Sequence, residues 1–233
     1  MIVTLEKETV NELIVKLFYN KFVKANKPCH IFITGRSGEG KSWFSLKIAE
    51  VICSELGINA KPEHVLNLHA IYDFEDFEKV ARHVFDTKCE IPLVLMFEGS
   101  VLSHARQFMS KQNIVIGRIM SLSRTLKPVI FLINSQHWRD LDIWLRRRVD
   151  FYITINRYVS SEGHSLKPVA KIYHIASLVD RLVLTPVIVK YGETLTRLQA
   201  LILGKPSEKM IKEFEKRERE KKRLLIETAL DIE

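Results

Sequence analysis

Eight consecutive residues, Gly35-Arg36-Ser37-Gly38-Glu39-Gly40-Lys41-Ser42, have types and spacing suited to one kind of chemistry. They spell G-x-x-x-x-G-K-[ST], the pattern of a loop that cradles a polyphosphate between a strand and a helix. The glycines admit backbone angles closed to other residues. Successive N–H groups can then turn inward as an anion nest at the positive end of a helix. Lys41 would reach the β- and γ-phosphates of a nucleotide, and the Ser42 hydroxyl would ligate Mg²⁺. The flanks agree. His30–Thr34 is a short apolar run that predicts a strand entering the loop, and Lys41 to about Leu56 predicts a helix leaving it, closed by Gly57.

Holding a triphosphate is not hydrolysing it. Hydrolysis needs a carboxylate for the attacking water and usually a positive charge for the transition state. The apolar run PLVLMF, Pro92–Phe97, predicts a strand buried on both faces, and it ends in Glu98. Such strands commonly end in Asp-Glu, whereas here the pair is Phe97-Glu98. Glu98 is then either the water-activating base, with Phe97 where the metal-side aspartate would stand, or itself the metal-side acid. The first alignment is preferred, because Ser42, phosphates and water can hold Mg²⁺ without that aspartate. No N-K-x-D guanine-reading motif occurs, so ATP is preferred to GTP.

The elements that must position these residues can be read from periodicity. Val10, Leu13, Ile14, Leu17, Phe18 and Phe22 predict an amphipathic helix over 6–25. Pro62–His69, around Val65–Leu68, predicts a second short strand, and Phe74–Phe85 an acidic helix. Leu102–Thr125 predicts a long polar helix, Val129–Ile133 a buried strand ending in Asn134-Ser135-Gln136, Asp140–Arg148 a helical turn and Phe151–Ile155 another strand. Strands alternating with helices, without hairpin turns, imply an α/β fold with a mostly parallel sheet flanked by helices. Beyond Asn156, Val169–Ile175 and Leu182–Lys190 predict a hairpin or an extension of the sheet. Lys205–Arg223 predicts a charged helix. The expected division is an ATPase core over 1–156, a β-rich extension over 157–204 and a charged helix over 205–233.

A hydrophobic fraction of 46% supports a packed core, and a net charge of +8 favours an anionic partner. Cys29, Cys53 and Cys89 are far apart and form no C-x-x-C, so they are expected as reduced, buried thiols of a cytoplasmic protein. His64 and His69 have a spacing that zinc sites use. No cysteine pair precedes them, so no metal site of protein ligands alone is expected. The start of the chain lacks the basic and apolar regions of a signal peptide, and no apolar window reaches the length of a membrane span.

The segment RIMSLSRTLKPVIFLINSQHWRDLDIWLRRRVDFYITI, Arg118–Ile155, has a helix ending near Arg124 and a buried strand ending in Gln136. An acidic turn (Asp140, Asp142), an arginine group and another strand follow. With the phosphate loop, this resembles the HerA/FtsK branch of additional-strand P-loop ATPases, which includes viral genome-packaging and Zot-like members. The likeness covers roughly residues 28–156. It implies a RecA-like core, with Gln136 sensing the γ-phosphate and Arg124 acting as an arginine finger in a neighbouring subunit's site. Arg118, Arg146, Arg147 and Arg148 compete for that second role. It further implies ATP hydrolysis in a homo-oligomeric ring, commonly a hexamer, that moves double-stranded DNA without reading its sequence. Arg106, Lys111, Arg118, Arg139 and His164 are the candidate DNA contacts. The alternative is a nucleotide-switched, AAA+-like loader with slow turnover, whose helical lid would lie in residues 192–228. A small-molecule kinase would need arginines in the Tyr158–Lys167 loop, and that loop has none.

Overall fold

The computed structural model describes residues 2–5, 10–86, 91–97, 114–118, 129–158, 167–178, 181–191, 194–198 and 204–230. Among these, the core is a seven-stranded sheet. Its strands are β2 (Cys29–Thr34), β3 (Ala70–Ile71), β4 (Leu93–Met96), β5 (Ile130–Ser135), β6 (Phe151–Tyr158), β7 (Lys167–Leu178) and β8 (Arg181–Pro186), in the order β3-β4-β5-β2-β6-β7-β8. The first five in that order run parallel; β7 and β8 close the far edge antiparallel. Every residue of β2, β4 and β5 is buried, as expected for parallel strands covered on both faces. The mostly parallel α/β core read from the sequence is therefore the observed fold. β5 lies between β2 and β4, so the strand leading to Glu98 is one place removed from the strand leading into the glycine loop.

Helix α1 (Val10–Ile14) continues as π-helical turns over Val15–Val23. Its wider winding shows in the five-residue span of the Lys24 N–H to Tyr19 C=O bond (3.2 Å), and the helix stops at a Schellman turn on left-handed Asn26, with Asn26 N–H to Val23 C=O (3.0 Å) and Lys27 N–H to Phe22 C=O (2.8 Å). That winding turns Phe18 and Phe22 onto Phe151 edge-on, at 5.0 and 5.5 Å between ring centres. Helix α2 (Lys41–Glu55) leaves the loop and is buried nearly all round. It stops at a Schellman turn, with Gly57 N–H to Ser54 C=O and Ile58 N–H to Cys53 C=O. Cys29 and Cys53 are buried free thiols. Burial pushes the Cys53 pKa up to about 11 and that of Cys29 well above its ordinary value. Cys89 lies outside the described residues.

Two expectations are corrected. Pro62–Leu68 is a helix, α3, and the strand is the two residues that follow it, β3. A short apolar run such as Val65-Leu66-Asn67-Leu68 does not distinguish the two periods by itself. Pro62 at the first helical position and Glu63 in the first turn decide for helix. The second correction concerns residues 192–228, which are in part strand: Thr194–Arg197 forms β10, and among the described residues of this stretch the helix begins at Glu208. β10 pairs with β9 (Ile188–Tyr191), and β9 pairs parallel with the N-terminal strand β1 (Ile2–Leu5) to form a second, three-stranded sheet.

Helix α4 spans Phe74–Asp86, and a short helix, α5, spans Ile143–Arg146. The charged terminal helix, α6 (Glu208–Leu230), is fastened to the core. Phe214 packs on Phe97 at 4.9 Å, Phe97 stacks on Tyr72 at 5.1 Å, and Lys221 bridges Asp73 (2.6 Å) and Asp76 (3.1 Å). At the start of the helix, the Ser207 N–H donates to the Glu50 carboxylate at 2.8 Å. Among the described residues, no helix is long and apolar enough to cross a membrane.

Candidate nucleotide-binding site

The loop from Gly35 to Gly40 joins the C-terminal end of β2 to the N-terminus of α2, so the helix dipole points its positive end into the turn. Gly40 caps α2 with φ 95° and ψ 21°, a left-handed conformation in which a side chain would be strained. Gly35 is required for a different reason. A Cβ there would stand 2.7 Å from the Ile155 carbonyl oxygen of β6 and 2.7 Å from a Glu39 carboxylate oxygen. β6 therefore sets how close the loop may lie to the sheet.

Two charged side chains fold onto the loop. The Lys41 Nζ donates to the carbonyls of Gly35 (2.8 Å) and Arg36 (3.1 Å), which holds the ammonium over the turn. The Glu39 carboxylate accepts from the Arg36 N–H, so an anionic group already engages an amide of the loop. The Ser42 side chain lies in the first turn of α2 and is half-buried. A preformed amide turn, an ammonium above it and a hydroxyl at the helix start make a donor set that fits the phosphates and Mg²⁺ of a nucleotide.

The tip of β5 is tied to this loop by contacts that sequence reasoning missed. The Thr34 hydroxyl, on the last residue of β2, donates to the Gln136 backbone carbonyl at 2.6 Å. A hydrogen bond also links Thr34 to the Tyr152 hydroxyl on β6, whose pKa is raised by burial. Ser45, one turn after Lys41 and fully buried, donates to the Asn134 side-chain oxygen at 2.8 Å. Helix α2 and strand β5 are thus joined by a buried polar pair directly beneath the loop. The available signal was a serine on the sheet-facing side of α2 together with polar residues ending an otherwise apolar strand.

Gln136 is exposed just past β5, on the same edge of the sheet as the loop. Arg139 follows in the 3₁₀ turn Trp138–Asp140 and is also exposed. Arg146, Arg147 and Arg148 precede β6, at the opposite end of the sheet, so they do not serve the loop of their own chain. Arg118 is exposed on a helical stretch at 114–118. Glu98 and Arg124 lie outside the described residues, as do Arg106, Lys111 and His164.

No family model matches this chain, and no curated protein matches it. Solved structures with a similar course include the N-terminal domain of zonular occludens toxin from Neisseria meningitidis. That match is 18% identical, covers 64% of this chain and 85% of that one, and has a TM-score of 0.40. The genome packaging NTPase B204 from Sulfolobus turreted icosahedral virus 2, in complex with sulfate, is 14% identical over 82% of this chain and 98% of that one, with a TM-score of 0.36. A chain of the E. coli HORMA:CdnC:Trip13 complex is 14% identical over 66% of this chain and 61% of that one, at 0.41. Likeness at this level decides nothing about activity. The nucleotide assignment rests on the loop itself.

Proposed function

We propose that this protein is an ATPase that drives the movement of double-stranded DNA, working as a homo-oligomeric ring of the packaging type. The observation that carries the proposal is the joined pair of strand tips. The glycine loop with Lys41 leaves β2, and Gln136 leaves the neighbouring β5, tied to β2 through Thr34. A side chain so placed can respond to the γ-phosphate held by the loop. In this scheme the amides of Gly35–Ser42 and the Lys41 ammonium hold the phosphates of ATP, and the Ser42 hydroxyl, together with phosphate oxygens and water, would hold Mg²⁺. Bound there, Mg²⁺ would supply positive charge to offset that developing on the phosphates. Glu98 orients and deprotonates the attacking water, Gln136 hydrogen-bonds that water or the γ-phosphate, and Arg124 of an adjacent subunit stabilises the transition state.

The net charge of +8 supports a polyanionic partner, held through its phosphates and not its bases. Exposed Arg139, three residues beyond Gln136, provides a short route from the nucleotide to a DNA-facing turn. The test is an ATPase assay with and without duplex DNA on wild type, Glu98→Gln and Arg124→Ala. Turnover should rise with DNA and be abolished by either change. The Arg124→Ala defect should be rescued in oligomers mixed with Glu98→Gln subunits. ATP binding with turnover that ignores DNA would refute the motor.

A further inference from the structure

At the end of the strands away from the glycine loop, three histidines from separate points in the chain converge. His64 lies in the first turn of α3, His69 directly follows that helix, and His83 lies in the last turns of α4. One ligand nitrogen from each lies within 4.8 Å of the others. The ring centres are 5.3 Å apart for His69–His83, 6.0 Å for His64–His69 and 6.2 Å for His64–His83. The spacing of His64 and His69 alone left the ligand set incomplete. The α3–α4 packing supplies the third member.

We propose that His64, His69 and His83 form a binding site for a divalent late transition-metal ion, with Zn²⁺ the expected occupant. Imidazole nitrogens suit that class of ion and not Mg²⁺ or Ca²⁺, which take oxygen ligands. His69 is fully buried, and its Nδ1 lies 2.8 Å from the Leu93 carbonyl oxygen. Donation to that carbonyl places the proton on Nδ1 and the lone pair on Nε2. Metal-binding histidines are characteristically oriented by such an outer partner. A Zn²⁺ about 2.1 Å from each nitrogen keeps the nitrogens roughly 3.4 Å apart, so no pair within the 4.8 Å limit need close by more than about 1.4 Å. His64 is exposed and can supply that motion by side-chain rotation. Its exposure also leaves the fourth tetrahedral position to water.

Two helices and the start of β4 meet at this point, so the metal is a clamp on the β3–β4 edge of the sheet. His69 stands about four residues lower along the sheet than Thr34 and three strands away, roughly 20 Å from the glycine loop. The site is therefore independent of the nucleotide, and its occupancy does not enter the ATPase steps.

The test is titration of ZnSO₄ into the metal-stripped full chain against a chromogenic indicator, with melting followed in parallel. Wild type should bind one equivalent with a dissociation constant of about 1 µM or tighter and should melt at a higher temperature when loaded. His64→Ala, an exposed change that leaves the fold in place, should weaken binding at least tenfold. His64→Ala/His83→Gln should abolish it, while both variants keep wild-type ATP affinity. Substituting Co²⁺ should give the visible absorption of a four-coordinate site in wild type only. Zinc bound equally by wild type and His64→Ala, or bound by neither, overturns the proposal.

Discussion

The contact between the glycine loop and β6 gives the sharpest test of how the site is held. A Cβ at Gly35 would meet the Ile155 carbonyl oxygen at 2.7 Å, whereas ordinary contacts begin at 3.4 Å, so loop or strand must move by about 0.7 Å, the difference of the two. The obstacle is backbone, and no rotamer change relieves it. Overpacking of this kind costs about 2 kcal/mol. In a chain of this size that lowers the melting temperature by about 4–8 °C. The same shift carries the amides of the loop out of register with the phosphates, and affinity for a fluorescent ATP analogue should fall at least about tenfold. Gly38 is the control. It lies in the same loop at φ 77°, with no atom within 4 Å of an added Cβ. Gly38→Ala meets only the strain of a left-handed residue, about 1 kcal/mol. Because that strain is present with and without nucleotide, affinity should change by less than about threefold. Calorimetry and fluorescence titration of both variants decide the matter. If Gly35→Ala melts and binds like wild type, or if Gly38→Ala loses as much affinity, β6 does not set the position of the loop.

Glu39→Gln removes the carboxylate that engages the Arg36 amide and competes with phosphate, so ATP affinity should rise about threefold at low salt and less at high salt; equal affinity at both would refute the competition. Thr34→Val keeps the side-chain shape but frees the Gln136 carbonyl, and should lower kcat about tenfold with the ATP dissociation constant unchanged. An unaltered kcat would remove Thr34 as a positioning residue. Burial by itself would raise the Asp73 pKa, but hydrogen bonds from Lys221 and the Asp76 amide hold it below its ordinary 3.8. Burial would lower Lys221, and its bonds to Asp73 and Asp76 hold it above 10.5. The lowered acid stabilises the fold above pH 3.8 and loses that contribution as the pH falls through its folded value. The raised base contributes below pH 10.5 and loses it as the pH climbs through its own. Lys221→Met should therefore melt below wild type between those limits, and the gap should close in acid. A gap that persists at about pH 2 would contradict the clamp.

Local features were legible because local physics fixes them. The glycine loop, the helix after it and the Gly57 stop depend on residues a few positions apart. The buried strands β2, β4 and β5 announced themselves as continuous apolar runs. Val65–Leu68 was misread because four residues cannot separate a period of 3.6 from one of 2. β1 went unread because its partner β9 lies at the other end of the chain.

By itself, then, the sequence determined that a phosphate-binding turn sits between a strand and a helix in a parallel α/β core. Only the tertiary structure decided what surrounds that turn. Packing of distant segments laid Ile155 against Gly35, joined Ser45 to Asn134 and Thr34 to Gln136, and gathered three histidines at the far end of the sheet. Pattern along a chain reports the period of its own backbone. Contacts between residues 89 and 102 positions apart arise only when the sheet has formed and its strands stand side by side.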